Sequence, residues 1–210
     1  MPAGFFVVLE GPEGAGKTTL AAALAERLRG LGLDPVLVRE PGGTPAAEAL
    51  RSELLDADRP WTPEQELLYM VTARADLVSR VIRPALEAGR LVLSDRFDLS
   101  TRAYQGAGRG VPLEHLEWVN RAATGGLVPD LTLILSLPPE AGAARLETTG
   151  RTRNRLDRET PEFHHRVLKR YQAEQGPGVR HLDATAPVDR LTDLALAELR
   201  AARPDLVPAK

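Results

Sequence analysis

The residues Gly11-Pro12-Glu13-Gly14-Ala15-Gly16-Lys17-Thr18 fit the pattern G-x-x-x-x-G-K-[ST] without a mismatch. They follow the apolar run Phe5-Phe6-Val7-Val8-Leu9 and precede the helix-like Thr19-Leu20-Ala21-Ala22-Ala23-Leu24. Strand, glycine loop and helix therefore come in the order that a phosphate cradle needs. The glycines let backbone N–H groups curl around phosphate oxygens, while the helix N-terminus adds the positive end of its dipole. At these offsets Lys17 is placed for the β/γ-phosphates and Thr18 for a hydroxyl ligand to Mg²⁺. A turn that only joined a strand to a helix would have no use for either residue. The chain has only three lysines among its 27 basic residues, so a lysine here marks a compact point charge where a planar guanidinium would not fit.

The strand-like runs recur at Phe5–Leu9, Pro35–Val38, Leu91–Leu93 and Leu131–Leu135, with a weaker one at Val179–Leu182. Helix-period segments are expected at Lys17–Arg29, Pro45–Leu55, Pro63–Ala88, Pro112–Ala123, Pro138–Glu147, Pro161–Glu174 and Pro187–Arg200. This alternation is that of βαβ units on a parallel sheet, and several of these helices open with proline near the first turn, where a missing N–H costs nothing. Right-handed crossovers then give an α/β sheet with its binding loops at the carboxyl edge. The 210 residues suffice for one sizeable core. A single domain over 1–210 is expected, with a mobile lid at about 148–159, where Thr148–Arg155 has no hydrophobic period.

A formal charge of −2 argues against a nucleic-acid binder, although the arginines between Arg145 and Arg158 require a local explanation. The lack of cysteine excludes a disulfide framework and a thiolate metal site. No apolar stretch approaches the roughly 18 residues of a membrane span, and no leader pattern opens the chain, so a cytoplasmic protein without a membrane partner is expected.

Three further clusters fall near the expected carboxyl edge. Ser94-Asp95-Arg96 follows the run Leu91-Val92-Leu93. Asp95 is placed either to steer Mg²⁺ or to cap the next helix, and Arg96 beside it can grip a phosphate with two parallel hydrogen bonds. Arg39-Glu40-Pro41-Gly42-Gly43-Thr44 is either a ligand-approach loop or a turn capped by Thr44. Within Ser100-Thr101-Arg102-Ala103-Tyr104-Gln105-Gly106, Tyr104 and Gln105 can present a ring face and an amide to a base, or simply pack in the core.

The ordered set resembles the bacterial thymidylate kinases over nearly the whole chain. The motifs that carry the likeness are Glu10-Gly11-x-Glu13-Gly14-x-Gly16-Lys17-Thr18-Thr19, Arg39-Glu40-Pro41-Gly42-Gly43-Thr44, and Asp95-Arg96 with Ser100, Ala103-Tyr104-Gln105-Gly106 and Arg109. Pro129-Asp130-Leu131-Thr132, Leu156-Asp157-Arg158-Glu159 and Asp183-Ala184-Thr185 continue it. The resemblance implies a P-loop three-layer α/β fold with a five-stranded parallel sheet in the order 2-3-1-4-5 flanked by helices. It also implies phosphoryl transfer from ATP to dTMP with Mg²⁺, on the path to dTTP, by a homodimer.

Residue by residue, the likeness places ATP on Gly11, Pro12, Glu13, Gly14, Ala15, Gly16, Lys17, Thr18 and Thr19. Arg145 resembles the residue that stacks on adenine, opposite Ala184. Arg74 corresponds to an arginine on the acceptor nucleotide, Arg96 to the one on its phosphate, and Glu13 to an acid near the sugar 3′-hydroxyl. Tyr104 falls where the family crowds the sugar's 2′ side, with Pro41, Thr101 and Gln105 also on the acceptor side. Where the family has a phenylalanine stacked on thymine, this chain has Met70 with Tyr69 beside it. A methionine sulfur can lie against a ring for about 0.3–1.5 kcal/mol. The likeness also implies a cis Glu40–Pro41 peptide.

Transfer through a loose transition state is mainly alignment and charge neutralisation. Lys17, Asp95 and Arg96 are the catalytic candidates from the first two clusters, with Thr18 and Asp95 toward the metal. The variable loop positions Pro12, Glu13, Gly14 and Ala15 hold no arginine. The chain thus resembles the subgroup that carries its catalytic arginines in the lid, with Arg153 and Arg151 as candidates and Arg155 and Arg158 beside them. Another nucleoside monophosphate kinase would share the loop and lid but not the Asp-Arg…Ala-Tyr-Gln-Gly series. A GTPase-type switch needs an Asn-Lys-x-Asp tetrad, which the chain lacks.

Overall fold

A computed structural model of the chain describes residues 4–148 and 154–207. The lid candidates Arg151 and Arg153 lie outside the described residues.

Strand β1 (Phe5–Glu10) is buried at every position. Its odd residues Phe5, Val7 and Leu9 join one core with Leu20, Leu24 and Leu28, while Phe6 and Val8 join another with Leu77 and Ile82. A strand covered on both faces has no polar side to show, which is why its sequence is a continuous apolar run. It is followed by α1 (Lys17–Arg29), β2 (Val36–Arg39), α2 (Pro45–Leu55) and α3 (Pro63–Leu77). Next come α4 (Arg83–Glu87), β3 (Leu91–Asp95), α5 (Asp98–Thr101) and α6 (Leu113–Thr124). The chain ends with β4 (Leu131–Ser136), α7 (Pro139–Thr148), α8 (Pro161–Ala173), β5 (Val179–Asp183) and α9 (Val188–Ala202). Among the described residues all four strand pairings are parallel, in the order β2-β3-β1-β4-β5 that the resemblance implied.

Two elements differ from the sequence expectation. The helix expected over Pro63–Ala88 widens into a π-helical turn at Val78–Ile82 before α4. Pro84 has no N–H and its ring crowds the carbonyl one turn back, and the adjacent Arg83 N–H reaches to the Val78 carbonyl instead. The second difference is helical structure over Asp98–Thr101, continued by a π-helical stretch at Arg102–Gly108. Its sequence has no helical apolar period, because Gly106 and Gly108 make room for neighbours: a Cβ at Gly108 would lie 2.5 Å from the Phe163 ring.

The register sets the site. Leu9 stands opposite Asp95 and Glu10 opposite Ile134, so the loop after β1 emerges between the ends of β3 and β4.

Candidate active site

The loop at 11–16 closes on itself through its lysine. Lys17 is 6% exposed, and its Nζ donates to the carbonyls of Gly11 at 3.0 Å and Pro12 at 2.8 Å. Burial, then the charge of Arg96, pulls the Lys17 pKa down to about 8, against Glu13, Asp95 and Glu10. Gly16 takes a left-handed backbone at φ 89° as the N-cap of α1. Gly14 lets α7 approach closely, since a Cβ there would lie 2.4 Å from the Gly142 carbonyl oxygen. Residues 13–20 line a cleft of about 910 Å³. Gly11 and Pro12 stand outside that lining and serve Lys17 through their carbonyls.

The alternative in which Asp95 caps a helix does not hold: α5 has Phe97 at its N-cap and no side-chain cap. Asp95 Oδ2 instead accepts from Thr18 Oγ1 at 2.5 Å. Two hard oxygen donors thus meet beside the cradle. Mg²⁺ keeps most of its ligands as water and phosphate and needs little more from protein, so this donor pair fits that ion. Among the described residues no group of three or more His, Cys, Asp or Glu could form a protein-only metal cage.

Arg96 has a left-handed backbone at φ 79°, rare for a side chain of this size. Its N–H is tied to the Leu9 carbonyl at 2.9 Å, and its side chain, 11% exposed, turns back over the loop. It donates to Gly11 O (3.2 Å), Ser100 Oγ (3.0 Å), Tyr171 OH (3.1 Å), Glu13 Oε1 (2.7 Å) and Tyr104 OH (3.3 Å). The Tyr104 ring lies under the guanidinium at 5.1 Å. Glu10, fully buried, holds the other end of this network. It accepts from the N–H groups of Phe97 (2.8 Å) and Ser100 (3.1 Å) and from the hydroxyls of Ser100 (2.6 Å) and Tyr171 (3.1 Å). Burial pushes the Glu10 pKa up to about 6 against the pull of Arg96. Tyr171, from α8, was not singled out by the sequence; it enters through contacts with residues far away in the chain, Arg96 and Glu10.

The acceptor-side candidates divide. Pro41, Met70, Arg96, Tyr104 and Gln105 line the cleft. The Glu40–Pro41 peptide is cis. Thr44 caps α2 by accepting from Ala47 N at 3.1 Å, so the capping alternative for that loop holds alongside the cleft-lining role of Pro41. Tyr69 turns away, with its ring 4.2 Å from that of Trp61. Arg74 and Thr101 lie behind the wall, at 1% and 0% exposure. Arg74 donates Nε to Glu40 Oε2 at 2.8 Å, with Nη2 in ion-pair contact with the same oxygen at 2.7 Å, and donates Nη2 to the Phe97 carbonyl and Nη1 to Thr101 and Asn120. Four of its five N–H groups thus make hydrogen bonds. Arg74, which the resemblance assigns to the acceptor nucleotide, thus stands behind the cleft wall with these bonds already made.

Two residues that the sequence did not mark individually as site candidates also stand here. Glu40 lines the cleft as well as pairing with Arg74, and burial pushes its pKa up. Arg51 lines the cleft with Nη1 on the Pro41 carbonyl at 2.7 Å. A helical arginine six residues into α2 has no local signal that tells it from a solvated one.

At the far end Arg145 lines the cleft beside Thr185 and donates Nη2 to the Ala184 carbonyl at 2.8 Å. Ala184 itself is fully buried. Further along the chain Asn154 and Leu156 line the cleft, while Arg155 turns inward onto Glu66 at 2.7 Å. Lys17, Arg39, Arg51, Arg96 and Arg145 face the cleft against Glu13, Glu40 and Asp95. A protein of formal charge −2 thus gathers positive charge where phosphates would lie.

A parallel 2-3-1-4-5 sheet with a lysine-bearing phosphate cradle on its central strand, and Asp-Arg at the end of the neighbouring one, defines a P-loop nucleotide kinase. The family profile described as thymidylate kinase matches residues 9–194. The chain is 52% identical over 168 residues to the thymidylate kinase of Synechococcus sp. (strain JA-2-3B'a(2-13)), covering 80% of this chain and 79% of that one. To the thymidylate kinase of Thermomicrobium roseum it is 48% identical over 196 residues, 92% of this chain and 93% of that one. For that of Ectopseudomonas mendocina the identity is 50% over 185 residues, 86% and 88% of the two chains. The chain belongs to the thymidylate kinase family.

Proposed function

We infer that the cleft carries out its family's reaction with two nucleotides bound end to end. The enzyme is a transferase that phosphorylates dTMP to dTDP with ATP as donor. The observation that carries the reading is that Lys17 and Arg96 both donate to the Gly11 carbonyl, so the donor and acceptor grips meet at one atom. Lys17 and the loop N–H groups hold the β/γ-phosphates, and Arg145 with the Ala184–Thr185 turn holds the adenine end. Arg96, with Arg51, takes the acceptor phosphate. Tyr104 and Glu13 bound the sugar, and Met70, Pro41 and Gln105 the base, with Thr101 and Arg74 behind them.

Thr18 and Asp95 would hold Mg²⁺ against the triphosphate, and the ion supplies charge neutralisation on the moving group when bound. Burial keeps the Tyr104 hydroxyl protonated, with its pKa well above the usual phenol range, so it acts on the sugar as bulk and as a neutral hydrogen-bonding group. Residues 1–210 act as one domain whose lid, at about 148–159, closes over ATP and excludes water. Arg153 and Arg151 then reach the transferring group, and losing either costs on the order of 10³-fold in turnover. The working form is a homodimer in the cytoplasm.

Purified protein with ATP and magnesium, screened by coupled ADP release against dTMP, dUMP, dCMP, AMP, GMP and UMP, is expected to favour dTMP. A preference for AMP, GMP or UMP would overturn the reading. Chelation of magnesium is expected to stop turnover.

A further inference from the structure

We propose that Glu66 is a positioning residue for acceptor choice, whose carboxylate fixes the Gln105 amide so that the cleft wall offers an oxygen, and no N–H, to the incoming base. The inference rests on the acceptor-side reading above. Glu66 is fully buried and sits one turn before Met70 on α3. Its Oε2 accepts from Arg155 Nη2 at 2.7 Å and from Arg109 Nε at 3.1 Å, and Arg109 continues to Glu159 at 2.5 Å. A carboxylate held between two guanidiniums only accepts.

Its Oε1 takes Gln105 Nε2 at 2.6 Å in the buried interior. The opposite amide orientation would set oxygen against oxygen there, so Glu66 decides which way the amide turns. The remaining amide atom, Gln105 Oε1, is buried without a partner among the described residues, and Gln105 lines the cleft beside Met70. A buried oxygen without a donor is satisfied by a ligand N–H. A thymine joined to its sugar through N1 keeps one N–H, at N3. Cytosine has a lone pair at that position. The wall therefore favours imino-bearing pyrimidines and sets lone pair against lone pair for cytosine.

Glu66→Gln keeps the volume but supplies its own NH₂, which frees the Gln105 amide to turn. Steady-state kinetics of the full enzyme with dTMP and dCMP read the effect. In Glu66→Gln the ratio of kcat/KM for dTMP over dCMP is expected to fall about tenfold or more, mainly through KM for dTMP, with KM for ATP unchanged. Glu66→Asp, which keeps acceptor-only chemistry, is expected to hold the ratio near wild type. A ratio within twofold of wild type in a folded Glu66→Gln, or an equal loss in Glu66→Asp, overturns the proposal. Should Glu66→Gln not fold, the wild-type complex with ¹⁵N-labelled dTMP decides: a protected N3 imino proton, lost in Gln105→Leu, is expected, and a freely exchanging one refutes it. Wild-type protein inactive on dTMP would instead sink the functional reading itself.

Discussion

At the scale of single residues, the site runs on charges held against burial. With a Lys17 pKa of about 8, the empty cradle is mostly charged at pH 7 and mostly neutral by pH 9, whereas a bound triphosphate favours the charged form throughout. ATP binding must then take up a proton, about half of one at pH 8 and nearly one at pH 9, and affinity must fall as pH rises above 8. Calorimetry in buffers of different ionisation enthalpy measures this uptake; none at pH 9 would show that the lysine is not desolvated. Arg96 carries a cost of another kind, its backbone at φ 79°. Both Arg96→Gly and Arg96→Ala lose the guanidinium, with kcat/KM expected to drop on the order of 10²-fold or more. Only glycine relaxes the backbone, so denaturant titration should find Arg96→Gly more stable than Arg96→Ala by about 1 kcal/mol. The reverse order would mean that the left-handed turn is not retained without the arginine.

Among elements, the decisive contact is α7 against the phosphate loop. Gly142 lies inside α7, where helix propensity alone would make Gly142→Ala stabilising by about 1 kcal/mol. A Cβ there, however, would meet the Glu13 carbonyl oxygen at 2.9 Å. Overpacking of about 1–3 kcal/mol should win, displacing the loop and raising KM for ATP several-fold while KM for dTMP changes little. An alanine variant with wild-type KM and a higher Tm would show that the helix can slide. Elements of this kind were legible where the pattern is local. The loop from Gly11 to Thr18 is a contiguous motif, and β1 announces itself because both of its faces are covered. The helical stretch from Asp98 to Gly108 escaped because its glycines answer to Leu116 and Phe163, distant in sequence. Tyr171, Glu66 and Arg51 escaped for the same reason: a single tyrosine, glutamate or arginine on a helix carries no mark of the partner it will find. The likeness to a family located Arg74, but only the packed structure revealed that Glu40, Thr101, Asn120 and Phe97 already use its donors.

For the whole molecule, the proposed acceptor wall and the outer surface share one support. Helix α3 carries Glu66, Met70 and Arg74 on its buried side and exposes Leu68 at 55% on the other. It packs against α6, which exposes Leu113 at 54% and Trp118 at 73%. Large apolar side chains left open on two adjoining helices suit a two-fold contact with a second copy, which supports the proposed homodimer. In such a contact each substitution counts twice. If truncating one tryptophan anchor costs about 2 kcal/mol, Trp118→Glu weakens association by about 4 kcal/mol, roughly 10³-fold in Kd. Sedimentation velocity at micromolar concentration should therefore find a wild-type dimer and a Trp118→Glu monomer. The monomer should fold, because Trp118 is mostly solvent-facing within one chain, yet its KM for dTMP should rise more than its KM for ATP, since α3 loses outer support while the phosphate loop does not. A wild-type monomer would remove the dimer from the reading, and a Trp118→Glu dimer would move the contact to another face.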